Sequence, residues 1–138
     1  IGVGEFDGSA GAELLWQAAD GTLALARPTG PAPTILSGAV APQGRTPIAI
    51  ADLDGDGRDD LLARGADGLI AVGRTLIDDR TGAFWIEWSG ELAEAGPDVP
   101  LLGTLDFDQD GRAELAWLVG EAVEIRAIGE RAPRAFEF

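Results

Sequence analysis

One pattern of 23 residues occurs three times along this chain and aligns without a gap. The copies are EFDGSAGAELLWQAADGTLALAR (residues 5–27), DLDGDGRDDLLARGADGLIAVGR (52–74) and DFDQDGRAELAWLVGEAVEIRAI (106–128). They begin 47 and then 54 residues apart, and a period of this length is typical of solenoids and of propeller blades. The chain is therefore predicted to consist of three copies of one structural unit.

Short segments of alternating polarity predict that each unit is built from strands. TLALAR, LIAVGR, VEIRAI and FWIEW change between the two faces with a period of two, and Gly or Pro interrupts nearly every window long enough for a helix. IGVG, IAIA and LGTL supply a first strand, and TILSG, AFWIEW and RAFEF supply a fourth. We predict an all-β fold of three four-stranded antiparallel repeats with the size of β-propeller blades, over about residues 1–47, 48–100 and 101–138.

Tight turns are predicted at matching places in the three units. Asp20-Gly21 and Asp67-Gly68 fall between two strands of their units, where Gly can adopt the positive φ that a short hairpin requires. Gly120-Glu121 occupies this place in the third unit.

Charge and composition exclude several classes of function. The formal net charge is −14, which opposes binding to nucleic acids. No apolar run reaches the roughly 20 residues of a membrane span, so we expect no membrane insertion. The chain has no His, Cys, Lys or Tyr, and its serines therefore have no His to activate them. We expect no enzymatic activity and no catalytic residue.

An acidic loop of nine residues begins each copy, and we name residues 5–13, 52–60 and 106–114 acidic loops 1, 2 and 3. In loops 2 and 3, Asp stands at positions one, three and five, Gly permits a bend at position six, and an acid follows at position nine. Carboxylates at such positions can turn toward one centre, and several of them together suit a hard cation such as Ca²⁺. The alternative is a solvated turn, since Asp and Gly favour turns.

The EF-hand shares the spacing DxDxDG, but it requires Glu at position twelve and a helix on both sides. Position twelve here is Trp16, Ala63 and Trp117, and both flanks are predicted strands. The residues DLDGDGRDD and DFDQDGRAE, with the less regular EFDGSAGAE, instead resemble the calcium-binding blades of the FG-GAP and VCBS repeat families. Those blades form the β-propeller head of integrin α subunits and occur in many bacterial surface proteins and lectins. The resemblance covers nearly the whole chain.

This resemblance implies that Ca²⁺ is the ligand and assigns a set of oxygen donors to each loop. In acidic loop 2 these are Asp52, Asp54, Asp56, Asp60 and the backbone carbonyl of Arg58. In acidic loop 3 they are Asp106, Asp108, Asp110, Glu114 and the backbone carbonyl of Arg112. Acidic loop 1 offers Glu5, Asp7, Ser9, Glu13 and the carbonyl of Gly11. Its longer Glu5, uncharged Ser9 and missing Gly at residue 10 depart from the family, so we expect it to bind weakly or not at all.

The resemblance also implies a calcium-stabilised module outside the cytoplasm, secreted or at the cell surface, that serves adhesion or recognises a protein or carbohydrate ligand. Propellers have four to eight blades, so the three units would belong to a longer chain or be completed by association of copies, most simply as a six-bladed ring of two chains. Two alternatives are a structural or engineered self-assembling fragment without a ligand, and a non-catalytic part of a larger secreted polysaccharide-active enzyme.

The four tryptophans divide into two pairs. Trp16 and Trp117 share one repeat position, and regularly placed aromatics of this kind are expected to pack in the core. Trp85 and Trp88 have an odd spacing and therefore lie on opposite faces of one strand. We expect one of these two to be exposed, where an indole ring can stack on a ligand.

Overall fold

Twelve strands and no helix make up the part of the chain that the computed structural model describes, namely residues 2–8, 11–28, 34–40, 44–78, 80–81, 83–92, 98–128 and 134–137. The all-β prediction is confirmed. None of these residues belongs to a helix that could span a membrane. Ser9, at position five of acidic loop 1, lies outside the described residues.

The strands form three antiparallel sheets of four strands, each in simple sequential order. The first sheet contains β1 (Gly2–Gly4), β2 (Glu13–Gln17), β3 (Thr22–Arg27) and β4 (Thr34–Val40). The second contains β5 (Arg45–Ala51), β6 (Asp60–Gly65), β7 (Ile70–Asp78) and β8 (Ala83–Leu92). The third contains β9 (Leu101–Leu105), β10 (Glu114–Val119), β11 (Ala122–Arg126) and β12 (Arg134–Glu137). Each acidic loop joins the first strand of a sheet to its second.

The hairpins between the second and third strands use the turn residues as predicted. Gly21 and Gly68 have φ of +88° and +82°, which Gly adopts at little cost. In both turns the Asp before the Gly also accepts a hydrogen bond from the backbone N–H two residues further on, Asp20 from Thr22 at 2.9 Å and Asp67 from Leu69 at 3.0 Å. Gly120 has a φ of +63° in the third unit.

Two apolar clusters hold the sheets together, one on each side of the second sheet. Core cluster 1 joins the first and second sheets, and its buried members are Phe6, Leu15, Leu23, Leu25, Leu61, Phe84 and Ile86. Core cluster 2 joins the second and third sheets, and its buried members are Ala51, Leu53, Leu62, Ile70, Val72, Leu115 and Trp117. Successive residues of β6 point to opposite faces, so Leu61 enters cluster 1 and Leu62 enters cluster 2.

The acidic loops also contact one another in a repeated way, which we call the loop ladder. The N–H of Asp59 donates to the carbonyl of Glu5 at 2.5 Å, and the N–H of Ala113 donates to the carbonyl of Asp52 at 2.7 Å. Position eight of each later loop therefore bonds to position one of the loop before it. The ladder fixes neighbouring loops at one mutual distance and register.

The tryptophans occupy three kinds of environment. Trp117 is buried in core cluster 2, and the guanidinium carbon of Arg64 lies 5.1 Å from its ring centroid. Trp16, at the same repeat position, is half-buried. Trp88 packs against core cluster 1, whereas Trp85 on the opposite face of β8 is 43% exposed. The expectation of one exposed ring in this pair is confirmed.

Candidate metal centres

Each acidic loop brings carboxylates together closely enough to hold a metal ion. In every group, one oxygen from each residue lies within 4.8 Å of the others. The groups are Glu5, Asp7 and Glu13 in loop 1, Asp52, Asp54 and Asp60 in loop 2, and Asp106, Asp108, Asp110 and Glu114 in loop 3. Asp56 is the carboxylate predicted for loop 2 that stands outside its group.

Acidic loop 3 gathers all four of its predicted carboxylates. The position-one residue Asp106 shapes the loop, because its Oδ1 accepts the N–H of Asp110 at 3.1 Å and its Oδ2 accepts the N–H of Gly111 at 3.0 Å. Gly111 has a φ of +92° at the predicted bend. Glu114 is buried at the base of the group, and Asp108 and Asp110 are exposed at its opening.

Acidic loop 2 has the same backbone plan. Asp52 accepts the N–H of Gly55 at 2.7 Å and that of Gly57 at 2.8 Å. Asp56 is exposed, and its Oδ1 accepts the N–H of Arg58 at 2.9 Å. The sequence pattern predicted Asp56 as a member of this group, but its carboxylate lies outside it, whereas Asp110 makes the same bond to Arg112 at 2.9 Å and belongs to the loop 3 group.

Asp60, the last residue of acidic loop 2 and the first of β6, is buried. Its Oδ1 accepts the N–H of Thr75 at 3.1 Å, and its Oδ2 accepts that of Leu53 at 3.3 Å. Burial raises the pKa of Asp60 to about 6, with the negative charges of Asp54 and Asp56 adding to the rise and the two backbone N–H groups opposing it. A nearby cation would relieve both causes of the rise, because it favours the ionised carboxylate.

The acid at position nine has a structural role that the sequence pattern did not reveal. In all three loops one of its oxygens accepts the N–H of the residue at position two. The acceptors are Glu13 for Phe6 at 2.9 Å, Asp60 for Leu53 at 3.3 Å and Glu114 for Phe107 at 2.8 Å. The constant spacing of seven residues between the partners was the available signal. Position nine thus ties the loop to its second strand and places a carboxylate under the group.

Acidic loop 1 differs from the other two because an arginine side chain lies among its gathered carboxylates. Arg27, the last residue of β3, forms an ion pair with Asp7, and its Nε lies 3.9 Å from Oε1 of Glu13. Burial raises the pKa of Glu13, and the charge of Glu5 adds to the rise while the N–H of Phe6 opposes it. Gly11 is exposed at position seven with a φ of +125°.

Two other contacts around the loops were not predicted from sequence. Asp59 accepts the N–H of Glu5 through Oδ2 at 2.8 Å, beside its backbone bond to the same residue. The side chain of Arg58, of which only the carbonyl was predicted as a ligand, would lie with its Nε 3.4 Å from a Cβ placed on Gly8. The first contact joins position eight to position one and the second joins position seven to position four, both between different units, so no pattern within one copy could have suggested them.

The donor set fits a hard divalent cation. All the gathered side chains offer oxygen atoms, and several carboxylates in one group favour Ca²⁺ or Mg²⁺ over softer metals. No protein-family model matches this chain, and neither a curated protein nor a solved structure matches it.

Proposed function

We propose that the chain is a calcium-binding β-propeller module that serves adhesion or ligand recognition outside the cytoplasm. The observation that carries this proposal is acidic loop 3, where four carboxylates at positions one, three, five and nine converge within 4.8 Å. Three of them come from the segment 106–113 between β9 and β10, and Glu114, the first residue of β10, lies buried beneath. Four like charges this close repel one another strongly unless a cation is present.

Calcium would supply the positive charge that these loops lack, and the chain's own residues would hold it. Asp106 orders the turn through two backbone bonds, and Glu114 ties it to the second strand. Binding energy is then partly folding energy, since the ligand binds the folded loop and stabilises it by linkage. The proposed location outside the cytoplasm rests on the resemblance of the loops to FG-GAP and VCBS blades, and extracellular modules commonly bind calcium at millimolar concentration.

The stacking of the sheets supports the propeller part of the proposal. The first strands of successive sheets adjoin one another, β1 with β5 and β5 with β9. Each sheet runs outward from its first strand in simple order. Propeller blades also pack face to face with their first strands nearest the axis, and this likeness supports the proposal.

The two end faces of the stack support completion by a second copy of this chain. Leu14 is 46% exposed, although Leu61 and Leu115 at the same repeat position are buried against the preceding sheet. Phe107 is 45% exposed, although Phe6 and Leu53 at its repeat position are buried against the following sheet. The first sheet thus presents a face that fits a preceding sheet, and the third presents a face that fits a following one.

The loop ladder specifies that junction further. Within the chain, a Gly at position four lies under an Arg at position seven of the next loop, as Gly8 with Arg58 and Gly55 with Arg112. At the junction between copies, position four is Gln109 and position seven is Gly11. At this junction the large residue, Gln109, stands at position four and the small one, Gly11, at position seven, the reverse of the arrangement within the chain. Acidic loop 1 of one copy therefore leaves space for acidic loop 3 of another.

Trp85 is the residue to which we assign ligand contact. Its ring is 43% exposed on β8, and exposed indole rings stack on sugars or on apolar groups of a protein ligand. Glycan-array binding by the calcium-loaded protein, compared with Trp85→Ala, tests this part. A saturable signal that the variant loses is expected, and binding that the variant retains in full would contradict the assignment.

Calcium titration by calorimetry on chelator-stripped protein, with thermal melts in parallel, tests the calcium proposal. We expect binding of about two ions per chain through loops 2 and 3 and a calcium-dependent rise in the melting temperature. Magnesium at the same concentration serves as the comparison, and it should bind more weakly because it demands a smaller octahedral site. Absence of heat together with an unchanged melt would show that the acidic loops are solvated turns.

Light scattering after size-exclusion chromatography tests completion by a second copy. We expect a dimer for the native sequence and a monomer for Phe107→Asp, because the substitution places a charge at the junction. Trp85→Asp is the matched control, since it alters an equally exposed aromatic ring away from the end faces and should remain dimeric. A native monomer at all concentrations would contradict a ring of two chains.

A further inference from the structure

A partly exposed cation of the chain itself, Arg27, lies among the buried carboxylates of acidic loop 1. The guanidinium of Arg27 pairs with Asp7, whose side chain is 2% exposed, and approaches Glu13, which is fully buried. Arginine suits this place because its guanidinium is always charged and presents several N–H donors to carboxylates. The loop therefore carries positive charge where a metal ion would otherwise be needed.

Two carboxylates of this loop, those of Glu5 and Glu13, each have one buried oxygen that accepts no hydrogen bond from the described residues. Oε2 of Glu13 accepts the N–H of Phe6, but Oε1 accepts no hydrogen bond from the described residues. Oε1 of Glu5 is also buried without a hydrogen bond from the described part of the chain. A buried ionised carboxylate is costly unless a positive charge compensates it. Arg27 provides that compensation in loop 1.

The residue at the same repeat position differs in the other two units. Arg74 is half-exposed, and its Nη1 lies 3.4 Å from Oδ2 of the partly exposed Asp54. In the third unit the hairpin is one residue shorter, because Leu115 faces Arg126, whereas Leu14 faces Ala26 and Leu61 faces Gly73. The structural counterpart of Arg27 there is therefore Ala127, although the gapless alignment places Ile128 at this position. The three units thus form a series in which the arginine is inserted into the group, lies at its rim, or is replaced by an apolar residue.

We propose that Arg27 replaces the divalent cation in acidic loop 1, and that the residue following the cross-strand partner of position ten decides which loops bind a metal ion. Two positive charges in one small group of carboxylates repel each other, so loop 1 excludes the metal ion while Arg27 is in place. Loop 3, where this residue is the uncharged Ala127, binds the ion most tightly, and loop 2 binds it less tightly because Arg74 competes for Asp54. The statements on loops 2 and 3 rest on the proposed calcium binding, and the statement on loop 1 does not.

Arg27→Gln in the full chain tests the role of the inserted arginine, with calcium chloride as the probe. Calorimetry should show one more calcium ion bound per chain than in the native protein. The calcium-free variant should melt at a lower temperature than the native protein, and calcium should raise its melting temperature by more. Arg80→Gln is the matched control, because it removes an exposed arginine with the same change in charge, and it should leave the stoichiometry unchanged.

Two further variants assign the effect to the right loops. Asp7→Asn in the Arg27→Gln background should abolish the additional site, since Asp7 belongs to the loop 1 group. Ala127→Arg should weaken the tightest site at least tenfold, whereas Ala127→Gln should leave its affinity within about twofold because it adds no charge. Circular dichroism checks that the Ala127 variants fold.

The outcomes separate this proposal from the proposed calcium function. A native protein that binds no calcium, with Arg27→Gln binding one ion, would contradict calcium binding at loops 2 and 3 and support the role of Arg27. A native protein that binds two ions, with Arg27→Gln also binding two and melting like the native protein, would support the calcium function and overturn the role of Arg27. Absence of binding in both proteins would overturn both.

Discussion

Single carboxylates in this chain have different tasks according to their loop position. Position one bonds to two backbone N–H groups of its own loop, as Asp52 and Asp106 show. Position nine ties the loop to the residue at position two, and it is buried in all three units. The acids at positions three and five of loops 2 and 3 are partly or fully exposed at the loop opening. The consequences of losing one acid therefore depend on its position more than on its charge.

Replacing Asp106 with Asn should abolish calcium binding at acidic loop 3. The amide removes one negative charge, and one of the two backbone N–H groups would face an amide donor in place of an acceptor. We expect calorimetry to detect one fewer site and the calcium-dependent rise in melting temperature to shrink. Asp98→Asn, an exposed acid outside the loops, is the control. Full binding by Asp106→Asn would exclude position one as a ligand.

Asp60 should make the calcium-free protein less stable as the pH rises. Its pKa is about 6 in the folded chain against 3.8 in an unperturbed carboxyl, so the folded state holds this proton more tightly. The stabilisation is present below about pH 4 and is lost as the pH rises through 6, by up to roughly 3 kcal/mol. Melts between pH 4 and 7 in calcium-free buffer measure this loss.

Asp60→Asn is the comparison for that pH dependence, because it removes the titrating group while other carboxyls remain. The slope of melting temperature against pH should be less negative in the variant than in the native protein. Identical slopes in the two proteins would show that Asp60 does not titrate in this range.

At the scale of elements, the acidic loops act as a joined set. The backbone bonds from Asp59 to Glu5 and from Ala113 to Asp52 connect three loops that lie in three different sheets. Gly55 permits this approach, because a Cβ there would lie 3.1 Å from Cγ of Arg112. The ladder depends on small residues at position four as much as on its hydrogen bonds.

Gly55→Ala should therefore destabilise the chain by more than a change of backbone conformation alone. Gly55 has a φ of +80°, and Gly21 has a φ of +88° with no heavy atom within 4 Å of a Cβ placed there. We expect a loss of about 1 kcal/mol in unfolding free energy for Gly21→Ala and about 2 to 3 kcal/mol for Gly55→Ala. Denaturant unfolding measures both losses, and equal losses would contradict a role for the Arg112 contact.

Much of the element plan could be predicted from sequence because it depends on local rules. The alternating segments and the turn glycines at 21 and 68 determine strands and hairpins over a few residues. The contacts that complete the loops span longer separations. Arg27 meets Asp7 across 20 positions, and Asp59 meets Glu5 across 54. Whether an arginine at a strand end turns into a loop or toward solvent depends on the packing of neighbouring units, which composition and spacing do not encode.

The whole molecule carries a large excess of negative charge, −14 from 24 acidic and 10 basic residues. The second sheet lies between the first and the third. The loop ladder holds the acidic loops of all three units close to one another. Their mutual repulsion is a cost of the folded state that grows as the solution is depleted of cations. Stability should therefore respond to ionic strength as well as to calcium.

Sodium chloride should raise the melting temperature of the calcium-free protein. Between 0.02 and 0.5 M salt, screening shortens the range of repulsion from roughly 20 to about 4 Å, and we expect a rise of several degrees. The rise should be smaller at saturating calcium, because bound ions have already neutralised part of the loop charge. Equal salt responses with and without calcium would contradict repulsion within the loops as the cause.

The placement of Leu61 and Leu62 on opposite faces of β6 has a consequence for hydrogen exchange. Exposing β6 to solvent requires that both flanking sheets separate from it, whereas either end sheet can detach after losing one cluster. Amides of β6 should thus exchange only through opening of the whole chain, and those of the end sheets through smaller openings. Mass spectrometry of deuterium uptake would then show protection highest in the middle of the sequence, and calcium would slow exchange most in the third sheet.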